Sequence, residues 1–284
     1  IHMKPGDSLV SSISGKKGER VEFIIKGSGG TYTTNARVKT AAVLTCMDGQ
    51  VPKDAFRPAF CDTSNRVYLA RNLRRDLLPK LPRVKSTPEM AAVERYFERP
   101  WADAATYGFA CPVENMPGYG REVARVVGIG SLMLCCDFTP EEKETLLIRF
   151  VQVGIDLWGM VRAGHGGWYA HGGHHSGRKW PIVFAGIMLG DKDMQSPECR
   201  YPDIVFQEDM QTMYGKSWTG ADVVYAGHTG ARGDEARKGW GPFEHLHPSR
   251  WEAALGEGYR RCCTSVCWVG EALAARMLHA EKAW

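Results

Sequence analysis

No run of apolar residues in this chain is long enough to cross a bilayer, which takes roughly 20 residues. The longest, Ile129 to Cys136 and Ile182 to Leu189, are far shorter, so no membrane partner is expected. The chain also lacks a strong excess of either charge. Its net charge is +4 over 284 residues, with lysines and arginines scattered apart from short clusters at Arg71 to Arg75 and Arg260-Arg261. A nucleic-acid surface is therefore not indicated, whereas a mildly basic surface tolerates an anionic substrate. None of the nine cysteines forms a C-x-x-C knuckle, which argues against structural zinc, and the odd number leaves at least one thiol unpaired within a monomer. Cys135-Cys136 lies in a helical pattern and Cys262-Cys263 precedes one, where thiols act as small buried hydrophobes. No signal peptide is read at the start: Ile1-His2-Met3 has the look of a vector remnant, and polar sequence follows.

What the chain does have is a concentration of histidine. Four of its nine histidines fall within His165-Gly-Gly-Trp-Tyr-Ala-His171-Gly-Gly-His174-His175-Ser-Gly177, with Arg178-Lys179 directly after. Imidazole donates, accepts or binds metal near neutral pH, and glycine lets backbone and ligand approach closely. Trp168 and Tyr169 among them suit the lining of a ligand cleft. The alternative is a flexible polar loop whose histidines are simply solvated.

The pattern of the chain changes near residue 85. Before it, Arg20 to Lys26 and Arg37 to Thr45 carry β-branched residues between Gly-rich and Asp48-Gly49 turn signals, giving a small β-rich unit over residues 1–71. Residues 72–88, basic and broken by Pro79, Pro82 and Pro88, read as an extended connector lying on the next domain. Residues 89–284 are helical in pattern. Thr87 is placed to cap a helix at Pro88-Glu89-Met90, and Tyr119 to Cys136 carries a stripe of Val123, Val126, Val127, Leu132 and Met133. Thr139-Pro140-Glu141-Glu142 combines a cap, a first-turn proline and a capping-box glutamate. It opens a helix to about Arg162 with Leu146, Leu147, Phe150, Val153, Leu157 and Val161 on one face. Arg178 to Leu189 forms the next, ended by Gly190-Asp191. A weakly periodic stretch then runs from Lys192 to Arg250, before a last helix from Ser265 that faces its partner with Val266, Val269, Leu273 and Met277. Helices joined by long aromatic loops suggest stacked α-hairpins with a cleft at one end.

Two stretches carry a resemblance: Asp137-Phe-Thr-Pro-Glu-Glu-Lys-Glu-Thr-Leu-Leu-Ile-Arg-Phe-Val-Gln-Val-Gly-Ile-Asp-Leu and Gly172-Gly-His174-His-Ser-Gly-Arg178-Lys-Trp-Pro-Ile-Val-Phe-Ala-Gly-Ile-Met-Leu-Gly-Asp191. Gln207-Glu208-Asp209, Tyr214-Gly-Lys-Ser-Trp-Thr-Gly220, Tyr259-Arg-Arg-Cys-Cys-Thr264 and Trp268-Val-Gly270-Glu-Ala-Leu-Ala-Ala extend it. Over about residues 90 to 284 the chain resembles uncharacterised bacterial proteins related to the α/α-toroid polysaccharide-degrading enzymes of the alginate-lyase and heparinase-like group. The resemblance implies a mainly α fold of stacked α-hairpins forming an incomplete (α/α) toroid after a short β-rich N-terminal part. It also implies a polysaccharide or oligosaccharide substrate in a secreted or periplasmic setting, and no cofactor. An open array of helices would have to protect its apolar face, for instance by homo-oligomer formation.

Four chemistries suit the residues. A polysaccharide lyase acting by β-elimination on a uronate polymer needs a group to neutralise the carboxylate, a base, and an acid for the leaving oxygen. The resemblance implies Asn, His, Tyr and Arg for these, and the matching roles fall to Asn115 and Arg178 for the carboxylate, His174 as base and Tyr169 or Tyr214 as acid. His171, Lys179, Trp168 and Trp218 would bind substrate. A glycoside hydrolase instead needs two carboxylates across the scissile bond, with candidates Glu114, Asp156, Asp191, Asp193, Glu208 and Asp209. Of these Glu208-Asp209 is best placed, though on a strand or loop only one of the two would enter a given site. A zinc site from His165, His171, His174 and His175 has no standard spacing, and no metal is expected. A noncatalytic carbohydrate-binding protein would use Trp158, Trp168, Trp180, Trp218 and Trp240 as stacking platforms. Among the histidines, His174 is best placed to meet an anion where the amides of the following helix and Arg178 converge.

Overall fold

The structure is a computed structural model and describes residues 1–13, 20–21, 32–33, 40–101, 116, 120–170, 173–226, 245–250 and 266–284. The protein is mainly helical, with 46% helix and 11% strand, and the described strands pair in two-stranded ladders. Near the N-terminus β1 (Ser8–Ile13) pairs antiparallel with β4 (Thr40–Thr45), and β2 (Arg20–Val21) with β3 (Tyr32–Thr33). Most side chains of β1 stay exposed.

Residues 52–82 form a strap across the helices. Phe56, Ala59 and Leu73 enter the same apolar core as the helices, and two single 3-10 turns at Ala70–Asn72 and Arg75–Leu77 shape the basic stretch. Leu81 exchanges backbone hydrogen bonds with Cys135 and Asp137, both at 2.9 Å, so the proline-bearing connector is docked by its own backbone. After it comes a single helical turn, α1 (Met90–Glu94). Thr87 does not cap it: the Oγ1 of Thr87 accepts from the Val84 amide at 3.0 Å and closes a tight turn instead, because Pro88 holds the backbone extended between turn and helix.

The core is built by four longer helices. In α2 (Gly120–Cys135) the stripe Val123, Val126, Val127 and Met133 is buried as its spacing requires. The start of α3 (Pro140–Arg162) carries the full capping box: Thr139 Oγ1 accepts from the Glu142 amide, and Glu142 Oε2 accepts from the Thr139 amide at 2.7 Å. Its apolar stripe is buried throughout. The helix α4 (Lys179–Leu189) is buried on every side as far as Met188, which a helix can be only at the centre of a bundle. Gly190, at φ 69°, ends it in a left-handed cap, and Asp191 then accepts from the Asp193 and Met194 amides to start α5 (Lys192–Gln195). Short pieces follow: α6 (Pro197–Arg200), α7 (Gln207–Gln211) and the hairpin of β7 (Thr212–Lys216) and β8 (Asp222–Ala226).

The last helix, α8 (Val266–Met277), lies closely along α2. A Cβ added to Gly128 would stand 2.9 Å from the Gly270 Cα, so both positions need glycine for the two backbones to touch. This crossing turns α8 away from the expected phase. Val269 is 64% and Leu273 43% exposed, while Cys267, Trp268, Glu271, Ala274 and Ala275 face inward. The small side chains permit the closer packing, and packing overrides the stripe of larger aliphatics.

Candidate functional site

The histidine loop is pinned between α3 and α4. Its first strand, β5 (Gly167–Trp168), pairs in parallel with β6 (Val205–Phe206), the residues just before α7. Sequence-distant segments thereby meet at the N-terminal end of α4. Gln207 Oε1 accepts from the His175 amide at 3.0 Å, and Gln207 Nε2 donates to Gln211 Oε1 at 3.0 Å. Gly177, at φ 86°, sits so close to α2 that an added Cβ would lie 2.8 Å from the Ala124 backbone. Its amide donates to Glu208 Oε1 at 2.6 Å. The anion at the start of α4 is therefore the chain's own Glu208, where the sequence suggested an anionic ligand.

Behind Glu208 stands Glu271 from α8. Both carboxylates are sealed from solvent, at 1% and 0% exposure. Burial is the first cause that pushes Glu208 from the ordinary 4.5 up to about 7, opposed by its bonds from backbone amides. Burial and then the charge of Glu208 push Glu271 well above the usual range, opposed by the Trp284 indole and by Arg178. Each keeps one oxygen, Glu208 Oε2 and Glu271 Oε1, that accepts from no described residue. The Cys267 thiol faces the same pair and is held protonated by burial and by the two carboxylates. Arg178 is fully buried and donates to the Ser176 carbonyl oxygen. Its charge acts on Glu271, where it opposes the upward shift of that carboxyl.

Toward solvent the pair is closed by Trp284. Its indole N–H donates to Glu271 Oε2 at 3.4 Å, and its carbonyl accepts from Lys179 Nζ at 3.2 Å. Lys179 Nζ also donates to Asp209 Oδ1 at 2.5 Å. Glu208 and Asp209 thus point apart, as expected, although they lie on the short helix α7 where a strand or loop was anticipated. An open pocket of about 460 Å³ lies outside this layer.

The other sequence candidates fall in different places. His174 is buried in the loop just before Gly177, and His175 Nδ1 lies 2.8 Å from the Tyr169 carbonyl oxygen. Tyr169 is 44% exposed, with its ring edge-on to His175 at 5.0 Å. Trp168, offered as a sugar platform, is packed away against Phe206 at 5.8 Å and His165 at 4.8 Å. Trp158 and Trp180 are core residues too, so of the described platform candidates only Trp218 is exposed. Tyr214 is on β7, opposite Val224. Asn115, His171, Glu114 and Trp240 lie outside the described residues. Asp156 is engaged by Arg57, and Asp191 accepts from the Tyr68 hydroxyl at 2.6 Å while capping α5. Among the described residues no group of three or more His, Cys, Asp or Glu is arranged to hold a metal ion, and no helix is long and apolar enough to cross a membrane.

Comparison with protein-family models, with curated proteins and with solved structures gives no match.

Proposed function

We propose that the protein hydrolyses glycosidic bonds in a polysaccharide or oligosaccharide, with Glu208 and Glu271 as its acid–base pair. The observation that carries this reading is the pair itself: two sealed carboxylates from different elements, mutually repelling, each with an oxygen that no described residue engages. Glycoside hydrolysis requires one carboxyl group protonated and one ionised at the same pH. Here the two environments separate the roles. Glu271, which burial and the neighbouring Glu208 hold protonated, is the acid that protonates the leaving oxygen. Glu208, whose ionised form the Gly177 amide favours, is the base or nucleophile. Arg178 limits the negative charge the site must carry once Glu208 ionises. Substrate reaches the pair past Trp284, whose indole is the outermost hydrogen-bond partner of Glu271.

The sugar class rests on the resemblance of residues 90–284 to α/α-toroid enzymes. The close packing of α3 on α4 and of α2 on α8 fits stacked α-hairpins of an incomplete toroid. A second reading, β-elimination on a uronate polymer, is favoured by the exposed Tyr169 ring, an available acid beside the histidine loop. The deciding experiment incubates a panel of neutral and uronate polymers with the wild-type chain and with Glu208→Gln and Glu271→Gln, following reducing ends and unsaturated-sugar absorbance together. Reducing ends that disappear in both variants, without ultraviolet absorbance, support hydrolysis. Absorbance that survives both substitutions and is lost in Tyr169→Phe supports elimination. No product from any polymer overturns both and leaves a noncatalytic carbohydrate-binding protein.

A further inference from the structure

The pocket outside the acid pair is bordered by Lys179, Glu198, Asp209, Glu281, Lys282 and Trp284, with a volume of about 460 Å³. We propose that this pocket is the subsite for an uncharged sugar unit of the substrate, and that it selects against uronates; the assignment rests on the hydrolase reading. Its position is the first argument. Trp284 lines the pocket and hydrogen-bonds Glu271, and Asp209 lines it and neighbours Glu208. A ligand seated there therefore touches Trp284, the indole partner of Glu271.

Charge is the second argument. Lys179 is already committed to Asp209 and to the Trp284 carbonyl, which leaves Glu198, Glu281 and Lys282 to face the ligand. Carboxylates outnumber the available cation, and a uronate carboxylate placed among them would meet like charge. The Trp284 ring gives the third: it borders the pocket and offers the apolar surface on which a sugar ring stacks. The mildly basic net charge of the chain is thus not expressed at this site.

The test measures binding by titration calorimetry on the Glu208→Gln chain, so that affinity is read without turnover. The probes are cellotetraose, xylotetraose and mannotetraose against tetragalacturonate and tetramannuronate. At least one neutral probe is expected to bind about tenfold or more tightly than either uronate. Trp284→Ala is expected to weaken that neutral probe by about tenfold, and Glu198→Lys to narrow or reverse the preference, with far-UV circular dichroism confirming that each variant is folded. Tighter binding of uronates, no binding of any probe, or neutral affinity unchanged in both folded variants would overturn the subsite. A neutral probe that binds as expected but is not cleaved by the wild-type chain sinks the hydrolase reading instead. Cleavage of uronate polymers without neutral binding sinks only the subsite.

Discussion

Replacing Glu208 by glutamine should stabilise the protein at mildly alkaline pH while removing its activity. Glutamine keeps the shape of the protonated acid and an oxygen to accept from the Gly177 amide, but it cannot ionise. In the folded chain Glu208 titrates at about 7 against an ordinary 4.5. Between those values the folded protein holds a proton that the unfolded chain has released, so stability falls as pH rises. The stabilisation is complete below about pH 4.5 and is lost as pH climbs through about 7. At about 1.4 kcal/mol per tenfold change in proton affinity, the loss amounts to about 3 kcal/mol. Glu208→Gln escapes it. Urea denaturation at about pH 4.5 should therefore give similar midpoints for the two chains, and at about pH 8 the variant should be more stable by about 3 kcal/mol. A variant less stable than wild type at the higher pH would refute the reasoning. It would mean that ionised Glu208 is held in net stabilising fashion by the Gly177 amide and the Lys179 charge.

The same pair sets the rate profile: kcat/KM for reducing-end release should rise with pH through about 7 as Glu208 ionises and fall at higher pH as Glu271 loses its proton. A flat profile over that range would exclude the pair from catalysis. Gly128→Ala should lower stability by about 1–3 kcal/mol, read from the urea midpoint, because the new Cβ meets the Gly270 backbone rather than a side chain that can move. Trp168→Ala should cost about 3–5 kcal/mol as a core truncation, whereas Trp218→Ala, at an exposed site, should stay within about 0.5 kcal/mol. His279 adopts φ 55° just beyond α8, where the Ala280 and His279 amides donate to the Ala275 and Arg276 carbonyls in a Schellman turn. His279→Gly should raise stability by about 1 kcal/mol in the same assay, since glycine takes that backbone without strain.

The fold was legible wherever local signals and burial agreed. The capping box at Thr139 and Glu142 marked the start of α3 because cap chemistry is local, and its aliphatic stripe was long enough to set a phase that packing did not have to correct. The end of α4 at Gly190 was legible for the same reason. Thr87 misled because a threonine before Pro88 serves equally as a helix cap or as a turn acceptor, and the choice depends on Val84, three residues upstream. β5 and β6 could not be read at all. Each is two residues long, and they pair only because the chain between them folds as α4, α5 and α6.

The site was half legible, and the missing half follows from how α8 packs. Glu208 was recognised as a candidate acid of a pair, but its partner was sought among Glu114, Asp156, Asp191, Asp193 and Asp209. Reading α8 by its aliphatics put Val269 and Leu273 inside and so put Glu271 outside. The structure reverses this because Gly128 and Gly270 let two backbones touch, and at that distance only small or specially accommodated side chains fit between them. The available signal was Gly270 with Ala274 and Ala275 on one face of the helix. That face also carries Glu271, whose neighbours on it, Cys267 and Trp268, are buried. Packing cannot explain the glutamate itself. A carboxyl group buried against a second one, with a shielded oxygen that no described residue satisfies, works against stability. Leucine at 271 would fill the space without that cost. A glutamate there, opposite Glu208 and hydrogen-bonded by the Trp284 indole, departs from what packing favours in the way that sites of chemistry do.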